Sequence, residues 1–125
     1  QTDATNSETF TDFTKLHFVH SIGGTDFVSQ LPITVAAATQ IHLVIEVDSN
    51  RKATIFVNGL QYNITSTAGT AGTAVTEVQP SQVATKTAAL TNDVDFIPYV
   101  GIEAGAAEAK VLNVQYISCS RNVFE

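Results

Sequence analysis

Glu46 and Asp48 carry the carboxylates whose spacing comes nearest to a catalytic pair. They lie two residues apart on a predicted strand, so their side chains point to the same face. Retaining glycoside hydrolysis needs two carboxyl groups about 5–5.5 Å apart, one acting as nucleophile and one as acid. Asp48 also begins the polar segment 48–51, where an Asp typically accepts backbone N–H groups in a turn. We therefore interpret Asp48 as a turn-forming residue and predict that the protein is not an enzyme.

The histidines and the cysteine show no spacing typical of a metal site. His17 and His20 are three residues apart, so on a strand they face opposite sides and cannot both reach one zinc ion. His42 lies on another predicted strand. Cys119 is the single cysteine, which excludes an internal disulfide and a multi-cysteine metal site. Within a predicted strand it is expected to be a small, half-buried apolar residue.

Two further groups of residues are candidates for binding. Asn92, Asp93 and Asp95 place three oxygen donors within four residues, which suits either part of a calcium site or an ordinary turn. We predict no metal and keep calcium as the alternative. Sugar sites normally use exposed aromatic rings beside polar groups, so Asp93, Asp95 and Tyr99 are the candidates for a glycan. Tryptophan is absent, and Tyr62, Tyr99 and Tyr116 all lie in predicted strands, where their rings are expected to pack in the core or on a sheet face.

Composition limits the classes of protein that fit. The chain has 125 residues with 44% hydrophobic, enough for one domain with its own core. Its net charge of −6 argues against nucleic acid and against an anionic membrane surface, since both are bound by clustered cations. No apolar run is long enough to span a bilayer. No signal peptide is recognisable, and because the chain begins at Gln1 rather than Met, we expect a processed product or a fragment.

Alternation of apolar and polar residues predicts a β protein. The clearest pattern is Gln40–Ile64, where Ile41, Leu43, Ile45 and Val47 alternate with His42, Val44, Glu46 and Asp48 and are expected to face a core. Asn58-Gly59 then predicts a two-residue type I′ turn between two further strands. The other predicted strands are Phe13–His20, Phe27–Leu31, Ile33–Val35, Phe96–Glu103 and Ala109–Ser120. Several short strands without a convincing helix predict an antiparallel two-sheet sandwich.

The remaining segments complete the predicted domain plan. Residues 1–12 are polar and predict an N-terminal arm, followed by a single β-sandwich domain over 13–125. Ser66–Ala89 contains the small-residue stretch Thr67–Val75 and scattered valines, which predicts a long surface loop near 66–90. The loop is either flexible or ordered against a partner.

Two passages resemble a known family. Ile41–Tyr62 (IHLVIEVDSNRKATIFVNGLQY) resembles the central hairpin of laminin-G-like and concanavalin-like sandwiches, with Asp48 and Asn58-Gly59 at the fixed positions of the motif. Ile97–Arg121 (IPYVGIEAGAAEAKVLNVQYISCSR) resembles the closing strands of such domains in bacteriophage virion proteins. The family also includes glucanases with an acidic triplet on one strand, but here Ser49–Lys52 stands where the third acid would be.

The resemblance implies a jelly roll that decorates capsids, builds fibres or tail parts, or binds carbohydrate. On that basis we expect a non-enzymatic assembly domain of a phage virion protein, located in the virion. Its expected partners are other virion subunits and further copies of itself, in a homo-oligomer such as a trimer. The alternative is a lectin-like module for glycans on the host surface.

Overall fold

The computed structural model describes residues 10–92, 99–101 and 111–121. Packing of the backbone divides the chain into two units, Gln1–Asp93 and Val94–Glu125. Among the described residues none is helical, which confirms the predicted all-β class. The strands found among the described residues all lie in the first unit: β1 (Lys15–Ile22), β2 (Thr25–Thr34), β3 (Leu43–Val47), β4 (Ala53–Val57), β5 (Leu60–Tyr62) and β6 (Gly69–Ala74).

The first sheet has the strand order β1-β2-β6. β1 and β2 form a hairpin whose two turn residues, Gly23 and Gly24, have φ of 59° and 80°, values that favour glycine. The two strands predicted on either side of Pro32 are one strand, β2. Its pairing with β1 shifts register between Lys15 and His17, near the exposed Pro32, which has no N–H to donate to the ladder.

The second sheet is the meander predicted from the sequence, with the order β3-β4-β5. β3 pairs antiparallel with β4 from Leu43 opposite Val57 to Val47 opposite Ala53. Asn58 and Gly59 connect β4 to β5 with φ of 51° and 82°, as a type I′ turn requires at both central residues. The Asn58 side chain also accepts a hydrogen bond from the His42 backbone N–H at 2.9 Å, which fixes the entry to β3.

The prediction of a loop near 66–90 is wrong at residues 69–74, which form the strand β6. This strand pairs parallel with β2, so the prediction of wholly antiparallel sheets is wrong. β6 is reached from β2 through the whole second sheet, and a long crossover of this kind is what a parallel pair needs. Periodicity missed the strand because its glycine, alanine and threonine side chains are small. They allow close packing instead: a Cβ at Gly72 would lie 3.4 Å from the His17 ring.

Residues 75–90 contain no named strand but are bonded to the second sheet. The Asn63 N–H donates to the Thr76 carbonyl at 2.9 Å, and the Val78 N–H donates to the Gln61 carbonyl at 2.9 Å. Further along, the Ile64 N–H donates to the Thr85 carbonyl at 3.0 Å. These bonds cover the outer edge of β5, so this part of the predicted loop is ordered on its own chain.

The two sheets share one apolar core, an arrangement consistent with a β-sandwich. Phe18 and Leu31 come from the first sheet, and they cluster with buried residues of the second sheet and the segment after it. Those residues are Ala53, Ile55, Val57, Tyr62 and Ile64. Removal of this apolar surface from water stabilises the fold by roughly 25 cal/mol per Å² buried.

The apolar face predicted for β3 is on the core side of its sheet but is not buried. Leu43, Ile45 and Val47 are paired with Val57, Ile55 and Ala53, and paired residues share a face. The β4 residues are buried, whereas Leu43, Ile45 and Val47 are 52%, 60% and 42% exposed. The prediction that these three side chains face a core is therefore wrong about burial. β3 is at the edge of the sheet, beyond the side chains that cover β4.

The two closing strands predicted for the C-terminal part are not found in its described residues. Within Ala109–Ser120, residues 111–120 are outside any strand and exposed, and within Phe96–Glu103 the same holds for 99–101. The other residues of both segments lie outside the described ranges. Alternating apolar residues favour a strand, but a strand forms only where a neighbour accepts its ladder bonds. The single-domain plan over 13–125 stays a prediction, as does the arm, of which the described part begins at Phe10.

Candidate functional site

Asp48 organises the turn between β3 and β4. Its Oδ1 accepts the backbone N–H groups of Asn50 at 2.9 Å and Lys52 at 3.0 Å. Its Oδ2 accepts a hydrogen bond from the Lys86 ammonium group at 3.0 Å, and the two side chains form an exposed ion pair. The bond from the Lys52 backbone, followed by the one from Lys86, lowers the pKa of Asp48 below its ordinary value. The carboxylate is therefore ionised and engaged in holding a turn.

A shallow depression of about 360 Å³ lies beside this turn. It is lined by Asp48, Asn50, Lys52, Val83, Ala84, Lys86 and Thr87. Among these described lining residues Asp48 is the one acid, and Glu46 is on exposed β3 opposite Thr54. The depression therefore does not bring the acidic pair together over a shared cavity.

The three histidines are not brought together. The His17 ring stacks on Phe10 with centroids 4.2 Å apart, and the His20 ring stacks on Phe27 at 4.9 Å. Both therefore serve as packing rings of the first sheet. His42 is exposed at the entry to β3 in the second sheet. Among the described residues no three His, Cys, Asp or Glu side chains lie close enough to hold a metal ion.

His20 makes the stability of the fold depend on pH. Its Nδ1 is buried without a hydrogen-bond partner in the part of the chain that the structure describes, and burial lowers the pKa of His20 below 6.5. The unfolded chain therefore takes up a proton first as the pH falls. We expect the free energy of unfolding to be fully retained above pH 6.5 and to decrease below it until the folded-state pKa is passed.

Urea unfolding followed by circular dichroism at several pH values between 7.5 and 5 would test this expectation. His20→Phe should flatten the decrease, because a ring of similar shape cannot take up the proton. Val19→Ala, at an exposed neighbouring position of β1, is the control and should keep the wild-type pH dependence. An equally steep decrease in His20→Phe would contradict the role given to His20.

The other predicted site residues divide into three cases. Asn92 is described and exposed, whereas Asp93 and Asp95 lie outside the described residues, so the calcium hypothesis stays a prediction. Tyr62 is buried in the core as expected. Tyr99, 88% exposed, and Tyr116 are neither in strands nor packed in a core, which corrects their predicted placement. Cys119 is exposed rather than half-buried, because the strand expected to bury it is not formed there.

The remaining candidate for a functional surface is the apolar row of β3, which we define as Leu43, Ile45 and Val47. It combines three exposed aliphatic side chains with a strand that pairs, among the described residues, with β4 alone. Such an edge presents unpaired backbone N–H and C=O groups to another strand. The sequence identified these three residues but assigned them to the core, because alternation is the same in an edge strand and a central strand.

The sequence matches no model of a known protein family, and comparisons with curated proteins and with solved structures gave no match either. In the described residues no helix is long and apolar enough to cross a membrane.

Proposed function

We propose that the chain is a non-enzymatic assembly domain of a phage virion protein, serving in capsid decoration, a head fibre or a tail part. The observation that carries the assembly role is the apolar row of β3. An exposed aliphatic row on a sheet edge that has no partner among the described residues is a liability in a free monomer and a ready contact in an assembly.

The rest of the first unit supports a structural role. Its polar groups hold the fold: Asp48 holds a turn, Thr87 is bonded to β4, and Ser29 accepts the Thr65 N–H at 2.9 Å. The virion assignment comes from the resemblance of Ile41–Tyr62 and Ile97–Arg121 to concanavalin-like jelly rolls of phage particles. On this proposal the domain acts in the virion, alongside other virion subunits and further copies of itself.

Mass spectrometry of gradient-purified particles from the source phage would test the proposal. We expect peptides of this chain in the particle fraction, in a constant ratio to the major capsid protein across the gradient peak. A soluble lysate fraction run on the same gradient is the control. Recovery of the chain from the soluble fraction alone would contradict a virion role.

A lectin-like function is the second candidate, and the exposure of Tyr99 favours it. An aromatic ring that is 88% exposed offers a face on which a sugar can stack. A glycan array with the wild-type chain and Tyr99→Ala separates the two functions. Saturable binding that is lost in Tyr99→Ala and kept in Val83→Ala, a control at another exposed position, would favour the lectin. We expect no saturable binding.

A further inference from the structure

We propose that two copies of this chain pair through β3, strand against strand, across a two-fold axis centred on Ile45. This inference rests on the proposed assembly function and names one partner for it, a second copy. The pairing would join the two β3-β4-β5 sheets into one continuous sheet. It would supply ladder partners for the backbone groups of an edge that is unpaired among the described residues.

The apolar row is self-complementary about its centre. In an antiparallel pair with Ile45 opposite Ile45 of the second copy, Leu43 lies opposite Val47 of the second copy. Each of the three side chains thus meets an aliphatic side chain, at the Cβ separation of about 4.5–5.5 Å typical of directly opposed residues. A two-fold interface requires this kind of pattern, because the same patch must serve both subunits.

The charges of β3 fit the same register. Glu46 lies opposite Val44 of the second copy, so the two Glu46 carboxylates do not face each other directly. His42 lies opposite Asp48 of the second copy, so no two acidic residues are directly opposed in this register. Moving the two-fold centre by two residues brings in polar partners: Leu43 opposite Leu43 places Val47 opposite Thr39, and Val47 opposite Val47 places Leu43 opposite Arg51. The register centred on Ile45 is the one in which Leu43, Ile45 and Val47 pair only with one another.

The expected dimer is weak. One strand of five residues per copy forms an interface below the roughly 1,200 Å² at which stable complexes begin. Each copy also has a net charge of −6, so the two repel at long range. We therefore expect dimerisation to depend on concentration and to strengthen as salt screens the repulsion.

Sedimentation velocity between about 10 μM and 1 mM would test the proposal, a range in which a weak interface becomes populated. The wild-type chain should shift from monomer towards dimer. Ile45→Lys should raise the dissociation constant at least about tenfold, because two ammonium groups then face each other. Val19→Lys, on the edge strand of the other sheet, is the matched control and should dimerise like the wild type.

Cysteine cross-linking would test the register, in a Cys119→Ser background that removes the native thiol. Ile45→Cys should form a disulfide-linked dimer under mild oxidation, since opposed Cβ atoms lie within disulfide reach. Leu43→Cys and Val47→Cys should each form little dimer alone and much more when mixed. Equal cross-linking of all three single variants would contradict the two-fold register.

The remaining outcomes separate this inference from the proposed function. A trimer, or a dimer unaffected by Ile45→Lys, would overturn the β3 pairing. So would a strict monomer whose β3 amides are protected from hydrogen exchange at every concentration, since another segment of the same chain would then occupy the edge. In each case the chain can still be found in purified particles, and only its absence from particles contradicts the virion role.

Discussion

Replacing Leu31 with alanine should lower the free energy of unfolding by about 2–5 kcal/mol. Leu31 is completely buried and belongs to the core cluster that joins the two sheets. The substitution removes its apolar contacts and leaves a cavity that the strands on either side cannot fill without moving. For a domain of this size such a loss is a large fraction of the total stability.

Equilibrium unfolding in urea measures this effect directly. Leu60→Ala is the matched control, because Leu60 is the same residue type and is 48% exposed in β5. We expect a loss of about 1 kcal/mol or less there. Similar losses in the two variants would show that Leu31 does not lie in the shared core and would argue against the face-to-face arrangement of the sheets.

Thr87→Val should lower the free energy of unfolding by about 1–3 kcal/mol. The buried Thr87 hydroxyl accepts the Ala53 N–H at 2.8 Å, and the Thr87 N–H donates to the Ala53 carbonyl at 3.2 Å. Valine has nearly the same shape but no acceptor, so the Ala53 N–H loses its partner inside the protein. The variant therefore measures how firmly residues 75–90 are attached to β4.

The control for Thr87 is Thr85→Val, an exposed threonine two residues away that is bonded to Asn63 and Ile64 through its backbone. We expect its stability to stay within about 0.5 kcal/mol of the wild type. A loss in Thr87→Val no larger than in Thr85→Val would mean that the segment is attached by other contacts.

The sequence predicted those parts of the fold that depend on local chemistry. The Asn58-Gly59 turn and the strand Ala53–Val57 are predicted from neighbouring residues alone, because a left-handed turn and a short apolar run between two turns have local signatures. β6 was missed, because its stability comes from hydrogen bonds to β2, far away in the chain, and its side chains carry no pattern.

At the candidate site, too, the sequence predicts local features but not those that depend on tertiary packing. The alternation of Leu43, Ile45 and Val47 marked an apolar strand face, but what covers a face depends on tertiary packing. The closing strand predicted at Ala109–Ser120 failed in its described residues for a related reason, since pairing partners cannot be read from one segment. Asp48 forms the turn as interpreted from the sequence, because an Asp that begins a turn accepts hydrogen bonds from the backbone of residues just after it.

The parallel pairing of β6 with β2 has a consequence for folding kinetics. The β1-β2 hairpin and the β3-β4-β5 meander form contacts between near neighbours in the chain. By contrast, β6 pairs with β2 across the whole intervening meander. Contacts of high sequence separation form late, because loop-closure entropy is lost before they contribute. A nascent chain that ends before Gly69 lacks β6, so the edge of β2 is exposed as well as that of β3. The β2 edge is covered only after residues 69–74 have been synthesised.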